Sequence, residues 1–279
     1  WAMLKDYPGL ELPVQRWVHN TGFAKGNNAL ASLARGQHLV LLNSDAFPQA
    51  DWLEVIYQAA GRYPGCSFAS RLILANAPHR LDGEGDNYHA SGIVWRRLHG
   101  QPVERTSTQE KEVFSACGAA AVYPRKAYAE LGGFDEEYFA YLEDVDLGFR
   151  LQLAGVRCIY LPAAVVQHVG SGSTSRRSDF SVYYGNRNMV WTFFKNMPAL
   201  LLLLLLPAHV LMNLGMVVLS GLRRQGRVTL RAKRDALAGL PRMLRKRPTV
   251  QAARKTSLLG LARVMDWNPV SPFTKLWIK

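Results

Sequence analysis

The sequence predicts a doubly wound α/β sheet followed by an apolar and then a basic helical region, and three observations carry that prediction. Strand-length apolar runs alternate with segments of helical spacing through the first two thirds of the chain. Residues 198–222 then contain no Asp, Glu, Lys or Arg. The formal charge of +13 lies wholly beyond that segment: residues 223–279 hold 15 Lys/Arg against Asp235 and Asp266, while residues 1–222 carry 19 side chains of each sign. A neutral body and a cationic tail point to an anionic surface met by the tail. With 279 residues, 48% of them hydrophobic, there is enough chain for one large core and an appendage. We divide it into a body over 1–195, an apolar membrane-associated segment over 196–222 and a basic amphipathic tail over 223–279.

The elements follow in order. Gly22 to Arg35 reads as a glycine-containing loop and a short helix from Asn28. His38 to Asn43 is a compact apolar run ended by Ser44-Asp45, as expected of a buried parallel strand whose C-terminal end carries polar function. Leu53, Ile56, Tyr57 and Ala60 give residues 50–62 helical spacing. Ser67 to Leu74 alternates like a strand. Leu81 to Gly100, with Gly83, Gly85 and Gly92, reads as a loop and hairpin. Val113 to Tyr123 is a small-residue strand, Lys126 to Leu131 a short helix, and Asp146 to Ala154 a helix closed by Gly155. A strand over Arg157–Tyr160 is expected to end at Pro162. As a straight helix, residues 198–222 would cross a hydrocarbon core of about 30 Å at about 1.5 Å per residue. Pro207, Asn213 and Gly215 interrupt that run, so a bent re-entrant or interfacial element is expected. Leu230, Leu237 and Leu244 recur every seven residues among arginines, predicting a pair of basic surface helices broken at Pro241. Three cysteines without a C-x-x-C suggest neither a disulfide framework nor a zinc site, which fits a reducing compartment.

The densest chemistry lies between Phe134 and Arg150, where Asp135, Glu136, Glu137, Glu143, Asp144 and Asp146 share one short stretch with aromatic residues. Like charges packed together raise one another's pKa, so such a cluster entering a helix suggests metal, proton or sugar-hydroxyl chemistry. A solvated acidic loop is the plainer reading, with Asp146 as the helix cap and an i,i+4 pair to Arg150.

The surroundings favour chemistry. Asn20-Thr-Gly-Phe-Ala-Lys-Gly-Asn-Asn28, Leu41-Leu-Asn-Ser-Asp-Ala-Phe-Pro48, Phe114-Ser-Ala-Cys-Gly-Ala-Ala-Ala-Val-Tyr-Pro-Arg125, Leu131-Gly-Gly-Phe-Asp135, Tyr141-Leu-Glu-Asp-Val-Asp-Leu147, Pro162 to His168 and Tyr183-Tyr-Gly-Asn-Arg-Asn188 resemble, in order and spacing, the inverting family 2 glycosyltransferases of GT-A fold, closest to the rhamnosyltransferase-like branch. The resemblance spans about residues 15–195 and is specific for the family, not for the sugar. It implies a GT-A-type, Rossmann-like mixed sheet. The family opens with a strand and an Asp-containing loop that grips the nucleotide base, so about two βα units are expected to be missing ahead of this chain.

Glycosyl transfer from a nucleotide sugar must neutralise a leaving diphosphate and take a proton from an acceptor hydroxyl. By resemblance Asp144 is the base, with Glu143 orienting it or binding the acceptor. Asp45 stands where the family has an Asp-x-Asp, here reduced to one carboxylate, and His168 corresponds to the second metal ligand. Oxygen and imidazole suit Mn²⁺ or Mg²⁺. Asn20, Lys25, Asn28 and Gly118 are implied on the nucleotide-sugar side, and Tyr184, Arg187 and Asn188 on the acceptor side. The expected protein is a metal-dependent hexosyl or deoxyhexosyl transferase at the cytoplasmic face of a membrane, acting on a lipid-linked glycan or polysaccharide precursor. The alternative is a non-catalytic membrane-associated domain of the same fold. Nucleic acid is not an expected partner, because the tail interleaves its arginines with leucines rather than with stacking aromatics.

Overall fold

A computed structural model describes residues 17–170 and 178–277; the opening residues, where a base-gripping strand would be sought, lie outside them. In chain order the elements are α1 (Gly22–Leu33), β1 (His38–Leu42), β2 (Ala46–Pro48), α2 (Trp52–Arg62), β3 (Ser67–Leu74), β4 (Leu81–Gly83), β5 (Asp86–Tyr88), β6 (Val94–Arg96), β7 (Lys111–Val113), β8 (Ala120–Pro124), α3 (Arg125–Glu130), α4 (Glu143–Leu153), β9 (Cys158–His168), α5 (Asp179–Asn196), α6 (Ala199–Leu222), α7 (Gly226–Ala252), α8 (Leu258–Val264) and α9 (Ser271–Trp277).

Seven strands form a mixed sheet along the path β1-β8-β3-β9-β2, with β4 joined to β3 and β7 to β9; β5 and β6 make a separate hairpin. Helices cover both faces. On one, Trp52, Ile56 and Ala59 of α2 meet Phe68, Val122, Ile159 and Val166; on the other, Ala24, Tyr128, Leu147 and Leu151 meet Leu41, Ala121, Tyr123 and Tyr160.

Several expectations need correction. Among the described strands only β3 and β9 pair in parallel, so β1 is not a buried parallel strand. It runs antiparallel to β8, leaving Val40 and Leu42 about two-fifths exposed, because a five-residue apolar run reads the same whether one face or two are covered. Pro162 does not end its strand. The β3–β9 register jumps from Ser70↔Leu161 to Arg71↔Val165, and the proline sits inside that irregularity, where no ladder N–H is needed. Residues 113–123 hold the end of β7 and the start of β8 rather than one strand, α1 begins already at Gly22, and α4 at Glu143.

The C-terminal helices differ most from expectation. α7 continues through Pro241 and Pro248 as one 27-residue helix instead of a broken pair. Its buried stripe of Thr229, Ala232, Ala236, Gly239 and Met243 recurs every three or four residues and packs on α5. A Cβ at Gly239 would stand 2.5 Å from the Trp191 ring, so a small residue sets the closeness of that contact. Pro207 and Gly215 do not turn α6, which is one continuous helix with Pro207 inside it. Leu201, Leu202, Leu205 and Leu206 pack on the body, whereas Leu200, Leu203, Leu204, Leu211, Leu214, Val218 and Leu222 form an exposed stripe along the opposite side. Among the described residues α6 is the one helix long and apolar enough to cross a membrane; its most apolar stretch has a mean hydropathy of 2.2 and is 17% buried.

Candidate active site

Sheet register brings the two metal candidates together. Ala46 pairs with His168, and the Val169 N–H donates to the Asp45 carbonyl at 3.0 Å. Asp45 and His168 thus leave adjacent strand ends, with Asp45 Oδ1 3.4 Å from His168 Nε2. Two bonds of about 2.1 Å to one cation, set at right angles, would place their donor atoms about 3 Å apart, so the pair fits one divalent ion. Among the described residues no third His, Cys, Asp or Glu joins them. The remaining coordination positions would fall to substrate oxygens and water.

Asp144 is the second residue of α4. Its carboxylate accepts from the Gly118 N–H at 2.8 Å through Oδ2 and from the Val145 N–H at 2.8 Å through Oδ1. Gly118 suits that place, since a Cβ on it would meet the Phe23 ring at 3.1 Å and Asp144 Oδ2 at 3.4 Å, so the ring would have to give way. The close approach that Gly118 permits is therefore to the Asp144 carboxylate and Phe23. Burial, opposed by those backbone donors, raises the Asp144 pKa. The neighbouring Glu143 is buried, its Oε2 finds no hydrogen-bond partner among the described residues, and burial followed by the Asp144 charge raises its pKa strongly.

Asp146 is not a cap. Leu142, in a left-handed conformation, occupies the N-cap position, and Asp146 lies fully buried between Arg150 at 2.8 Å, Lys195 at 2.7 Å and the Asn196 amide at 2.8 Å. Burial alone would raise its pKa, but Lys195 and Arg150 hold it well below the usual carboxylate range. Asp135, 2.7 Å from both Lys195 and Lys246, is likewise lowered against its own burial.

Between these two sets the chain is strained. Phe139, Tyr141 and Leu142 all have φ near +65°, a rare value for side chains of that size. α5 holds the strained loop in place. The Asn188 amide donates toward the carbonyls of Tyr138, Ala140 and Tyr141 at 2.7–3.1 Å, and Arg187 donates to those of Glu137 and Tyr138 at 2.9 and 3.0 Å. Arg187 also lies over the Tyr184 and Trp191 rings, and Tyr184 stacks on Phe139 at 5.3 Å. The polar groups of Arg187 and Asn188 are thus committed to shaping the loop that delivers Glu143 and Asp144. A direct acceptor contact is not their place in this structure; of the three residues only Tyr184 keeps its polar end out of this bonding.

On the nucleotide side, Lys25 is exposed and Asn20 accepts from the Gly22 N–H at 2.9 Å. Asn28 is occupied internally: its Oδ1 accepts from the Tyr128 hydroxyl at 2.6 Å and the Phe134 N–H at 2.9 Å, and its amide donates to the Phe134 carbonyl. It ties α1 to the loop before Asp135 and is not free for a nucleotide.

Sequence reasoning missed two carboxylates. Asp82, on β4, is 2.7 Å from His168 Nδ1, and Arg96 donates to the same carboxylate. Burial would raise its pKa, but Arg96 and the hydrogen bonds from His168 and His99 bring it far down. Asp86, on β5, is buried, and burial together with the Asp144 charge raises its pKa strongly. No periodicity marked Asp82, which is the middle residue of the three-residue β4 in a glycine-rich stretch.

A family model described as "Glycosyltransferase like family 2" matches residues 1–190. An N-acetylglucosaminyl-diphospho-decaprenol L-rhamnosyltransferase of Mycobacterium tuberculosis is 45% identical over 148 residues, covering 47% of this chain and 48% of that protein. A pre-mycofactocin glycosyltransferase of the same organism is 30% identical over 163 residues, covering 57% of this chain and 32% of that protein. The chain therefore spans about half the length of the first relative and a third of the second. Among solved structures, GalNAc-T7 with UDP, GalNAc and Mn²⁺ aligns over 65% of this chain and 36% of its own, with a TM-score of 0.52 at 16% identity, a likeness of fold.

Proposed function

The chain belongs to the family 2 GT-A glycosyltransferases, rhamnosyltransferase-like, and from that premise we propose that it transfers a hexose or deoxyhexose, by inversion, from a nucleotide sugar to a lipid-diphosphate-linked glycan. The observation that carries this reading is the carboxylate of Asp144, raised in pKa and fixed by the Gly118 and Val145 N–H groups. A carboxylate so held can accept a proton from an acceptor hydroxyl. The partly buried Glu143–Asp144 pair disfavours two neighbouring negative charges, which strengthens the drive to take that proton. The L-rhamnosyl group and the decaprenol-linked acceptor in the relative's name make rhamnose and a polyprenyl diphosphate the first substrates to try.

Asp45 and His168 would hold Mn²⁺ or Mg²⁺. Such an ion, when bound, neutralises charge developing on the leaving diphosphate. The two residues hold their donor atoms side by side on the sheet end. On the membrane side, the exposed leucine stripe of α6 and the arginines of α7 suit insertion at an anionic surface. Arg242 and Lys246 of α7 pair with Glu137 and Asp135 on the body, which favours body and tail on the same, cytoplasmic side, with α6 embedded without crossing.

The test is transfer of labelled sugar from dTDP-rhamnose to a polyprenyl-diphosphate acceptor in anionic vesicles, with metal and with chelator. Metal-dependent transfer is expected. Donor binding without transfer would leave a non-catalytic domain.

A further inference from the structure

We propose that Asp82 is a positioning residue for the metal site: it holds the Nδ1–H of His168 and thereby leaves Nε2 as the bare, cation-facing nitrogen. This rests on the metal reading of Asp45 and His168 given above. His168 Nδ1 lies 2.7 Å from Asp82 Oδ2, a full hydrogen bond, while Nε2 lies 3.4 Å from Asp45 Oδ1, longer than an N–H donor keeps to a carboxylate. The short contact therefore takes the proton, and an imidazole lone pair faces a carboxylate oxygen across the gap. Two Lewis bases so opposed call for a cation between them.

Asp82 suits positioning better than ligation. It is fully buried, and both its oxygens are engaged: Oδ2 by His168 and Arg96, Oδ1 by His99 at 3.1 Å. Its place is set by sheet register, not by a loop. β4 pairs with β3 on either side of Asp82, through Leu72↔Gly83 and Ile73↔Leu81, and the next β3 residue, Leu74, pairs with His168. A carboxylate bonded to the far nitrogen of a metal-binding histidine fixes the ring and raises the basicity of the near one; losing such a partner weakens metal binding about 10- to 100-fold.

The experiment follows the His168 ring nitrogens by ¹H–¹⁵N NMR in ¹⁵N-histidine-labelled protein, assigned with His168→Gln, and titrates Mn²⁺ alone. In the unaltered protein the His168 signals are expected to broaden as Mn²⁺ is added, and the Mn²⁺-free ring in its neutral form is expected to carry its proton on Nδ1. Asp82→Ala should lose the tautomer preference and bind Mn²⁺ about 10- to 100-fold more weakly. Asp82→Asn keeps a carbonyl acceptor for Nδ1–H, so it should keep the tautomer and lose less affinity. An Nε2–H tautomer of the neutral ring in the unaltered protein overturns the proposal, and this reading does not depend on how well the variants fold. Mn²⁺ binding by Asp82→Ala within twofold of the unaltered protein also overturns it while leaving the metal site standing. If Mn²⁺ leaves the His168 signals of the unaltered protein unchanged, the metal reading itself fails.

Discussion

The acidic stretch from Asp135 to Asp146 holds two kinds of carboxylate only a few residues apart. Asp135 and Asp146 are buried against Lys195, Lys246 and Arg150, and their pKa values are lowered. Glu143 and Asp144 meet no cationic side chain at salt-bridge distance among the described residues, and theirs are raised. The difference comes from the neighbours that the fold supplies. Along α4, Asp146 points toward α5, where Lys195 and Asn196 wait, whereas Asp144 points toward the Gly118 turn. A carboxylate with two cations is committed to structure; one held only by backbone N–H groups can still exchange a proton.

The largest effect expected from breaking this contrast is at Asp144. Asp144→Asn keeps the shape and should cut transfer about 10²- to 10⁴-fold, with donor affinity changed only a few-fold. Single-turnover transfer and donor calorimetry together check it. A variant keeping more than about a tenth of the normal rate would remove Asp144 as the base.

Asp146→Ala tests the other class. It strands Arg150 and Lys195 without their shared anion, and breaking a buried pair in this way costs about 3–5 kcal/mol. Denaturant unfolding should show that loss. Deletion of both charges, in Asp146→Leu with Lys195→Met, should recover part of it.

The two classes also differ in how stability follows pH. Asp135 and Asp146, lowered on folding, contribute stability above the ordinary carboxylate pKa and lose it as pH falls through their folded values. Glu143 and Asp144, raised on folding, act in the opposite sense: their contribution is present below the ordinary value and lost as pH rises through the raised one. Transfer should therefore fall on acidification already above the ordinary aspartate value, while the fold persists to lower pH. Parallel rate and unfolding profiles that drop together would erase the distinction.

The smallest effect is expected at the partly exposed rim. Arg242→Ala removes a pair to Glu137 that water screens, and should cost less than about 1 kcal/mol, fading in high salt. Vesicle sedimentation of the same variant measures its share of membrane binding.

Much of this site was legible in residue order. The Glu143-Asp144 step, Asp45 and His168 each follow a recognisable apolar run, and the sheet register brings the last two together. What remained hidden depended on contacts between distant segments. Asn28, Arg187 and Asn188 carry side chains suited to ligands, and only the fold shows their polar groups bonded to loop carbonyls and N–H groups 47 to 106 residues away in the chain. Asp82 lay in a glycine-rich stretch with no periodicity to mark it. The prolines misled for another reason: Pro207 and Pro241 break isolated helices, but packing against the body and α5 holds α6 and α7 continuous through them.

The division of labour among the acidic residues can be measured directly by a ¹³C-carboxyl NMR titration of the unaltered protein, with Asp144 and Asp146 assigned by their Asn variants. Asp144 should titrate above the ordinary aspartate value of about 3.9, and Asp146 should stay ionised well below it. If Asp144 titrates at or below Asp146, the carboxylate assigned to catalysis is no readier to hold a proton than the one assigned to structure, and the account is contradicted.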